Sequence, residues 1–268
     1  MKIIFCFLII CCFSCSIQEK KSLEERINNQ CPKCKPDSVK SLLVCGNKET
    51  KYLDEMLKKY KNIGKVEFIG NEPYDWKRIF LILNKYNKIE NLIISKGLKM
   101  IPREISLLKN VKSIYLNYND ICTSEINNYN TSVKNLYLGS NNLGKLSNDT
   151  LSLLLENISK YLNELEYIDL SSNNLTSLPL ALNEFSKLNS IQAVYNNLSE
   201  FPCELLKINN LTKLNIDYYP KIMNSPLCLD NFPKGFFIYF RQTQEIDTVM
   251  YRKLIKRYPN IRFSGIAY

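Results

Sequence analysis

The sequence predicts an α/β solenoid: a parallel sheet along one side, with helices and irregular limbs along the other. Three observations carry this. Leu, Ile and Val recur at fixed offsets between Val39 and Phe240, in units mostly 22 to 26 residues long. Within a unit the pattern changes from two-residue alternation to a helical or Pro-broken stretch, so each unit reads as one strand and one return limb. A single unit cannot bury its apolar face, whereas stacked units share a continuous core.

The clearest unit is Leu165 to Pro179, LEYIDLSSNNLTSLP. Its Leu165, Ile168, Leu170, Asn173, Leu175 and Leu178 fit L-x-x-L-x-L-x-x-N-x-L followed by L-P, which resembles the leucine-rich repeat. The resemblance covers Val39 to Phe240 and implies a right-handed horseshoe with the sheet on its concave face. Alternation puts Ile168 and Leu170 inward and Tyr167, Asp169 and Ser171 outward. Asn173 should turn the chain out of the strand and bond backbone groups of its own coil and the next. Losing such a buried amide costs about 1–3 kcal/mol.

Earlier units open at Val39, Ile63, Ile89, Val111 and Val133. The first two continue into helical limbs marked by Leu53, Met56, Leu57 and Tyr60, then by Ile79, Phe80 and Leu83, with Trp76 packed beneath the second. Gly97 stands where the third unit should carry Asn, and Ile101-Pro102 restores the limb. Between Val133 and Leu165 the spacing grows to 32 residues. The surplus, Ser147 to Leu162, reads as an amphipathic helix on the convex side, with Asp149 as its expected cap. Units at Leu188 and Leu211 follow, the latter with Tyr219 in the Asn place. A weaker one runs through Ile238 and Phe240. A helix over Ile246 to Tyr258 and a strand at Ile261 and Phe263 then form a cap over 245–268. The repeat domain spans 36–268 with about nine coils.

Met1 to Cys15 reads MKIIFCFLIICCFSC, one Lys and then an apolar run too short to span a bilayer. This predicts a signal peptide over 1–14. The ending F-S-C resembles a bacterial lipobox, although Cys12 and Phe13 depart from its usual residues. The resemblance implies lipidation of Cys15, a tether over 15–35, and an exported, membrane-anchored protein facing the periplasm or the cell surface.

The chain has no His, which removes Ser-His-Asp and Cys-His catalysis and His-ligated metal sites. Its net charge of +10 is mostly Lys interleaved with Asp and Glu, without a single-sign block, so no nucleic-acid partner is expected. Cys31 and Cys34, in C-P-K-C, fit a structural disulfide or free thiols, a metal pair, or a redox pair. Cys203 and Cys228 fall on adjacent return limbs, close enough for a disulfide in an exported protein; two buried thiols are the alternative. Cys122 has no evident partner. Six N-x-S/T sequons occur, at Asn130, Asn148, Asn157, Asn174, Asn197 and Asn210.

Outward positions are the third, fifth, seventh and eighth of each unit. They gather Tyr115, Tyr118, Tyr137, Tyr167, Tyr195, Tyr218 and Tyr239 on one surface, beside Asp169, Gln192 and Asn215. Tyr offers contact area and a polar tip at little rotamer cost. These residues are the candidate site for a protein or peptide partner; no catalytic residue, metal or cofactor is expected. An intracellular regulatory scaffold and a thiol-redox enzyme using Cys31 and Cys34 are the competing readings.

Overall fold

Each alternating segment forms a short strand, and the strands stack side by side. This computed structural model describes residues 9–11, 39–45, 47–70, 74–130, 132–217, 228–241 and 248–266. Cys15, Cys31, Cys34, the tether, Tyr218 and Tyr219 lie outside them. The strands are β1 (Ile9–Cys11), β2 (Ser41–Cys45), β3 (Lys65–Ile69), β4 (Asn91–Ser95), β5 (Met100–Ile101), β6 (Ser113–Tyr115), β7 (Thr123–Ser124), β8 (Asn135–Tyr137), β9 (Tyr167–Asp169), β10 (Ser190–Gln192), β11 (Lys213–Asp217), β12 (Phe237–Arg241) and β13 (Arg262–Ile266). All except β5 and β7 join one 11-stranded sheet in chain order. Every pairing is parallel, and Ile168 lies between Leu136 and Ile191. β5 and β7 pair separately within the limbs. The segment read as a leader thus contributes β1, paired with Leu42 to Val44.

Alternation decides which side chains go inward. In β3, Val66 and Phe68 are fully buried, while Lys65 and Glu67 are partly exposed. The inward residues of successive coils merge into one hydrophobic cluster from Val39 to Ile261. Each fully buried Leu, Ile or Phe side chain contributes about 1.5–3 kcal/mol.

The limbs vary with their sequences. Helix α1 (Leu53–Lys59) buries Leu53, Met56 and Leu57, and α2 (Trp76–Leu83) buries Ile79, Phe80, Ile82 and Leu83. The Asp75 carboxylate accepts from the Arg78 N–H at 3.0 Å and caps α2. Trp76 stacks on Phe80 and meets Phe68 edge-on. After the dipeptides Ile101-Pro102, Leu178-Pro179 and Phe201-Pro202 the limb is a single 3-10 turn. Pro suits that position, since its fixed φ starts the turn and its missing N–H is not needed there.

Helix α3 (Asn148–Tyr161) fills the long spacing. Its cap is Ser147 rather than Asp149: the Ser147 hydroxyl accepts from the Thr150 N–H at 3.2 Å. Asp149 sits inside the first turn, where its charge complements the helix dipole. Helix α4 (Thr248–Arg257) and β13 complete the chain's described end. Cys203 and Cys228 are joined by a disulfide with Cα atoms 5.6 Å apart. Cys122 is a free thiol. The sequon residue Asn130 is buried, its amide donating to the Ile105 and Leu108 carbonyls.

The repeat asparagines form a buried ladder. Asn173 donates to Leu170 O of its own coil and Leu138 O of the coil before, and accepts from the N–H groups of Asn141 and Leu143. Asn141 and Asn196 act alike. The ladder therefore ties each coil to the preceding one, not to the next as expected, because the amide lies beneath the earlier coil's turn. Gly144 sits hard against this stack. A Cβ there would lie 2.3 Å from Asn174 O, so only glycine allows the approach.

Candidate functional site

Strand register builds the outward face row by row. The fifth positions run Tyr115, Tyr137, Asp169, Gln192, Asn215, Tyr239, and the third run Ser113, Asn135, Tyr167, Ser190, Lys213, Phe237. Neighbouring strands lie about 4.8 Å apart, close to the separation of stacked rings. The Tyr115 and Tyr137 rings accordingly stack at 4.1 Å with 13° between planes. Tyr137 then meets Tyr167 diagonally at 5.0 Å. These three form one continuous aromatic surface. Farther along, Phe237 and Tyr239 stack at 5.9 Å.

Burial pushes the Tyr137 phenol up to about 12, helped by its hydrogen bond with Tyr115 and the charge of Asp169. Tyr167 is raised further, first by burial and then by Asp169. Both phenols therefore stay protonated and able to donate at any ordinary pH.

Between the two aromatic groups lies a notch of about 220 Å³, opened by the small side chain of Ser190. Tyr167, Phe237 and Tyr239 wall it, and Gln192, Lys213 and Asn215 supply its polar groups. Asn215 donates weakly to Gln192 Oε1 at 3.5 Å, while its own buried Oδ1 has no partner among the described residues. An acceptor left so needs a donor from a ligand or water.

Not every expected outward residue is available. Asp169 is only 6% exposed. Its carboxylate accepts from the Ser171 N–H at 2.8 Å, and burial raises its pKa. The seventh row is also largely covered: Gly139, Ser171, Val194 and Asp217 are buried, because the chain turns inward there toward the Asn ladder. In the eighth row Tyr118 and Tyr195 are the most exposed tyrosines of the face, at 66% and 54%. Both sit at positive φ, 61° and 58°, where bulky residues are uncommon. Lys96, Ser140 and Ser172 hold the same conformation at the same place in their coils, so the turn demands it.

Sequence reasoning missed Arg241. Its Nε donates to Asp217 Oδ1 at 2.5 Å, and its guanidinium lies 3.6 Å from the Tyr195 ring centroid. The available signal was register, which sets Arg241 opposite Asp217. Phe237 and Lys213 were also legible in the third row without being read as part of a site. A larger open groove of about 420 Å³ lies on the convex side along α2, but its Asp54 is already bound by Lys58 and Tyr86. Among the described residues no three Cys, Asp or Glu gather as a metal site.

Among solved structures, the chain is similar to LegL7, a leucine-rich repeat-containing protein of Legionella pneumophila. The two share 17% identity over 89% of this chain and 86% of that one, with a TM-score of 0.58. It is also similar to a chain in the Drosophila Toll–Spatzle complex, at 12% identity and a TM-score of 0.50, over 76% of this chain but only 30% of that one. A leucine-rich repeat protein of Leptospira interrogans aligns at 17% identity over 86% of this chain and 72% of its own, with a TM-score of 0.36. No family model and no curated protein matches the sequence. Together with the parallel sheet, the likeness to LegL7 shows an α/β leucine-rich repeat solenoid.

Proposed function

We propose that this leucine-rich repeat solenoid is an exported, membrane-anchored interaction module that holds a segment of another protein against its concave face, without catalysis of its own. The observation that carries this reading is the stacked row of Tyr115, Tyr137 and Tyr167 beside a polar-floored notch. Rings already packed against each other lose little freedom on binding, which lowers the ordering cost of an interface. The Toll–Spatzle structure is itself a complex formed by a protein to which this chain is similar. The two outward aspartates offer no acid–base pair, since Asp169 is capped by Ser171 and Asp217 by Arg241.

Export and anchoring rest on the apolar run before Cys15. Among the described residues no helix is long and apolar enough to cross a membrane. Lipid on Cys15 would supply the attachment, and cleavage before it would remove β1 and leave β2 as the first strand.

The test is Tyr137→Ala with Tyr167→Ala, measured against a partner captured on the native protein. Affinity should fall at least about tenfold, as for central aromatic anchors. Unchanged affinity with an intact melting transition would reject the ribbon. Incorporation of a labelled fatty acid, lost in Cys15→Ser, checks the anchor separately.

A further inference from the structure

The notch on the concave face holds one cation and one acceptor without counterparts. Lys213 lines it and is exposed, and among the described residues it makes no ion pair. Lysines elsewhere, such as Lys58, Lys112 and Lys134, each meet a carboxylate. The carboxylates of the neighbouring strands are already engaged: Asp169 accepts from the Ser171 N–H, Asp217 pairs with Arg241, and Glu166 pairs with Lys134. Residues 218–227 contain no carboxylate. Glu245 and Asp247, outside the described residues, follow β12 in the sequence after Arg241, whereas Lys213 is level with Phe237 at that strand's start.

Two residues along β11 lies Asn215, its Cα about 7 Å from that of Lys213. Among the described residues its amide is held by one long bond, 3.5 Å to Gln192 Oε1, and its buried Oδ1 has no donor. Turning that oxygen toward an N–H in the notch therefore gives up little and gains a partner. A single cation beside an unfilled acceptor suits a group that carries one negative charge and one N–H close together. Tyr167 on one side, with Phe237 and Tyr239 on the other, supplies apolar walls.

We propose that the notch holds an acidic residue of the bound segment, its side-chain carboxylate on Lys213 and its main-chain N–H on Asn215 Oδ1, with a neighbouring apolar residue of that segment covering Tyr167 or Phe237. This inference rests on the reading of the concave face as a surface for a protein segment. Within a peptide, Lys213 repels Lys and Arg at this place by like charge, and a neutral residue leaves the cation unpaired beneath the ligand. One Lys matches the single charge of Asp or Glu, whereas a phosphorylated residue, with about twice the charge, calls for a cluster of Arg. Pro does not fit there, because it has no N–H to give.

The test uses the full chain as bait for a displayed library of random peptides. Native protein should enrich Asp or Glu at one position, and Lys213→Glu should exchange that preference for Lys or Arg at the same position. A labelled synthetic copy of an enriched peptide then gives affinities. Lys213→Gln and the peptide's own acid-to-amide change should each weaken binding about tenfold, and together no more than either alone. N-methylating the acidic residue's amide should weaken binding to native protein and add nothing in Asn215→Leu. Each variant is first checked for a cooperative melt, and Lys213, being exposed, tolerates substitution. The contribution of the ribbon is read separately, from Tyr137→Ala with Tyr167→Ala. Peptides that need those tyrosines but show no acidic preference would overturn this inference and leave the concave reading standing. An acidic preference that persists in Lys213→Glu would also overturn it, and a folded native chain that enriches no peptide would overturn both.

Discussion

In the middle coils a neutral amide takes up the backbone groups left where each strand ends; in the last coils an ion pair holds the corresponding place. Asn119, Asn141, Asn173 and Asn196 each donate to two or more carbonyls and accept from the coil before. An amide has both donor and acceptor, so the same group can repeat without limit. The ladder stops at Asp217, whose Oδ2 accepts from the Asn196 N–H. A carboxylate cannot donate onward, and buried at 2% exposure it requires a cation. Arg241 of the next strand supplies it and sets its guanidinium carbon over the Tyr195 ring. The end of a structural ladder thereby orients an outward aromatic residue, which no middle coil does.

The sharpest way to break this contrast is Arg241→Ala. Losing the cation over a buried carboxylate costs about 3–5 kcal/mol, readable as a lowered urea midpoint. Replacing both members with apolar residues, Asp217→Leu with Arg241→Met, should cost less than Arg241→Ala alone, because no charge remains buried. If the single and double variants melt alike, the pair is not a coupled end group. In the middle coils Asn173→Ala comes next in size. It strands the Asn141 and Leu143 N–H groups and should cost about 2–3 kcal/mol. A loss as large as that of Arg241→Ala would erase the distinction between amide and ion pair.

The repeat was legible because burial repeats once per coil, and residues such as Ile168 and Ile191 show their role by spacing alone. The end of the ladder was not. Asp217 and Arg241 occupy outward positions by count, and only the register of β11 with β12 reveals that they meet. The choice of Ser147 over Asp149 was hidden for a similar reason: both are good capping types, and the local backbone decides. The row of tyrosines could be read, but not the notch beside it. That notch depends on the smallness of Ser190 between larger neighbours, a feature with no periodic signature.

The smallest effect isolates the second buried carboxylate. Asp169 resembles Asp217 in burial but makes no ion pair among the described residues; its partner is the Ser171 N–H. Burial holds its folded pKa above the ordinary carboxylate value of 3.8. The folded state therefore keeps this proton longer than the unfolded chain does. Its contribution to stability is fully present below the unfolded pKa and is lost as pH rises through the folded one. Asp169→Asn removes that slope while keeping an acceptor for Ser171. Relative to the native chain, the variant should gain stability as pH climbs through this window and hold the gain at neutral pH, by less than either loss above. Urea midpoints of both chains across the acid range would show it. A variant that instead lost stability as pH rose would mean that Asp169 is stabilised as a carboxylate.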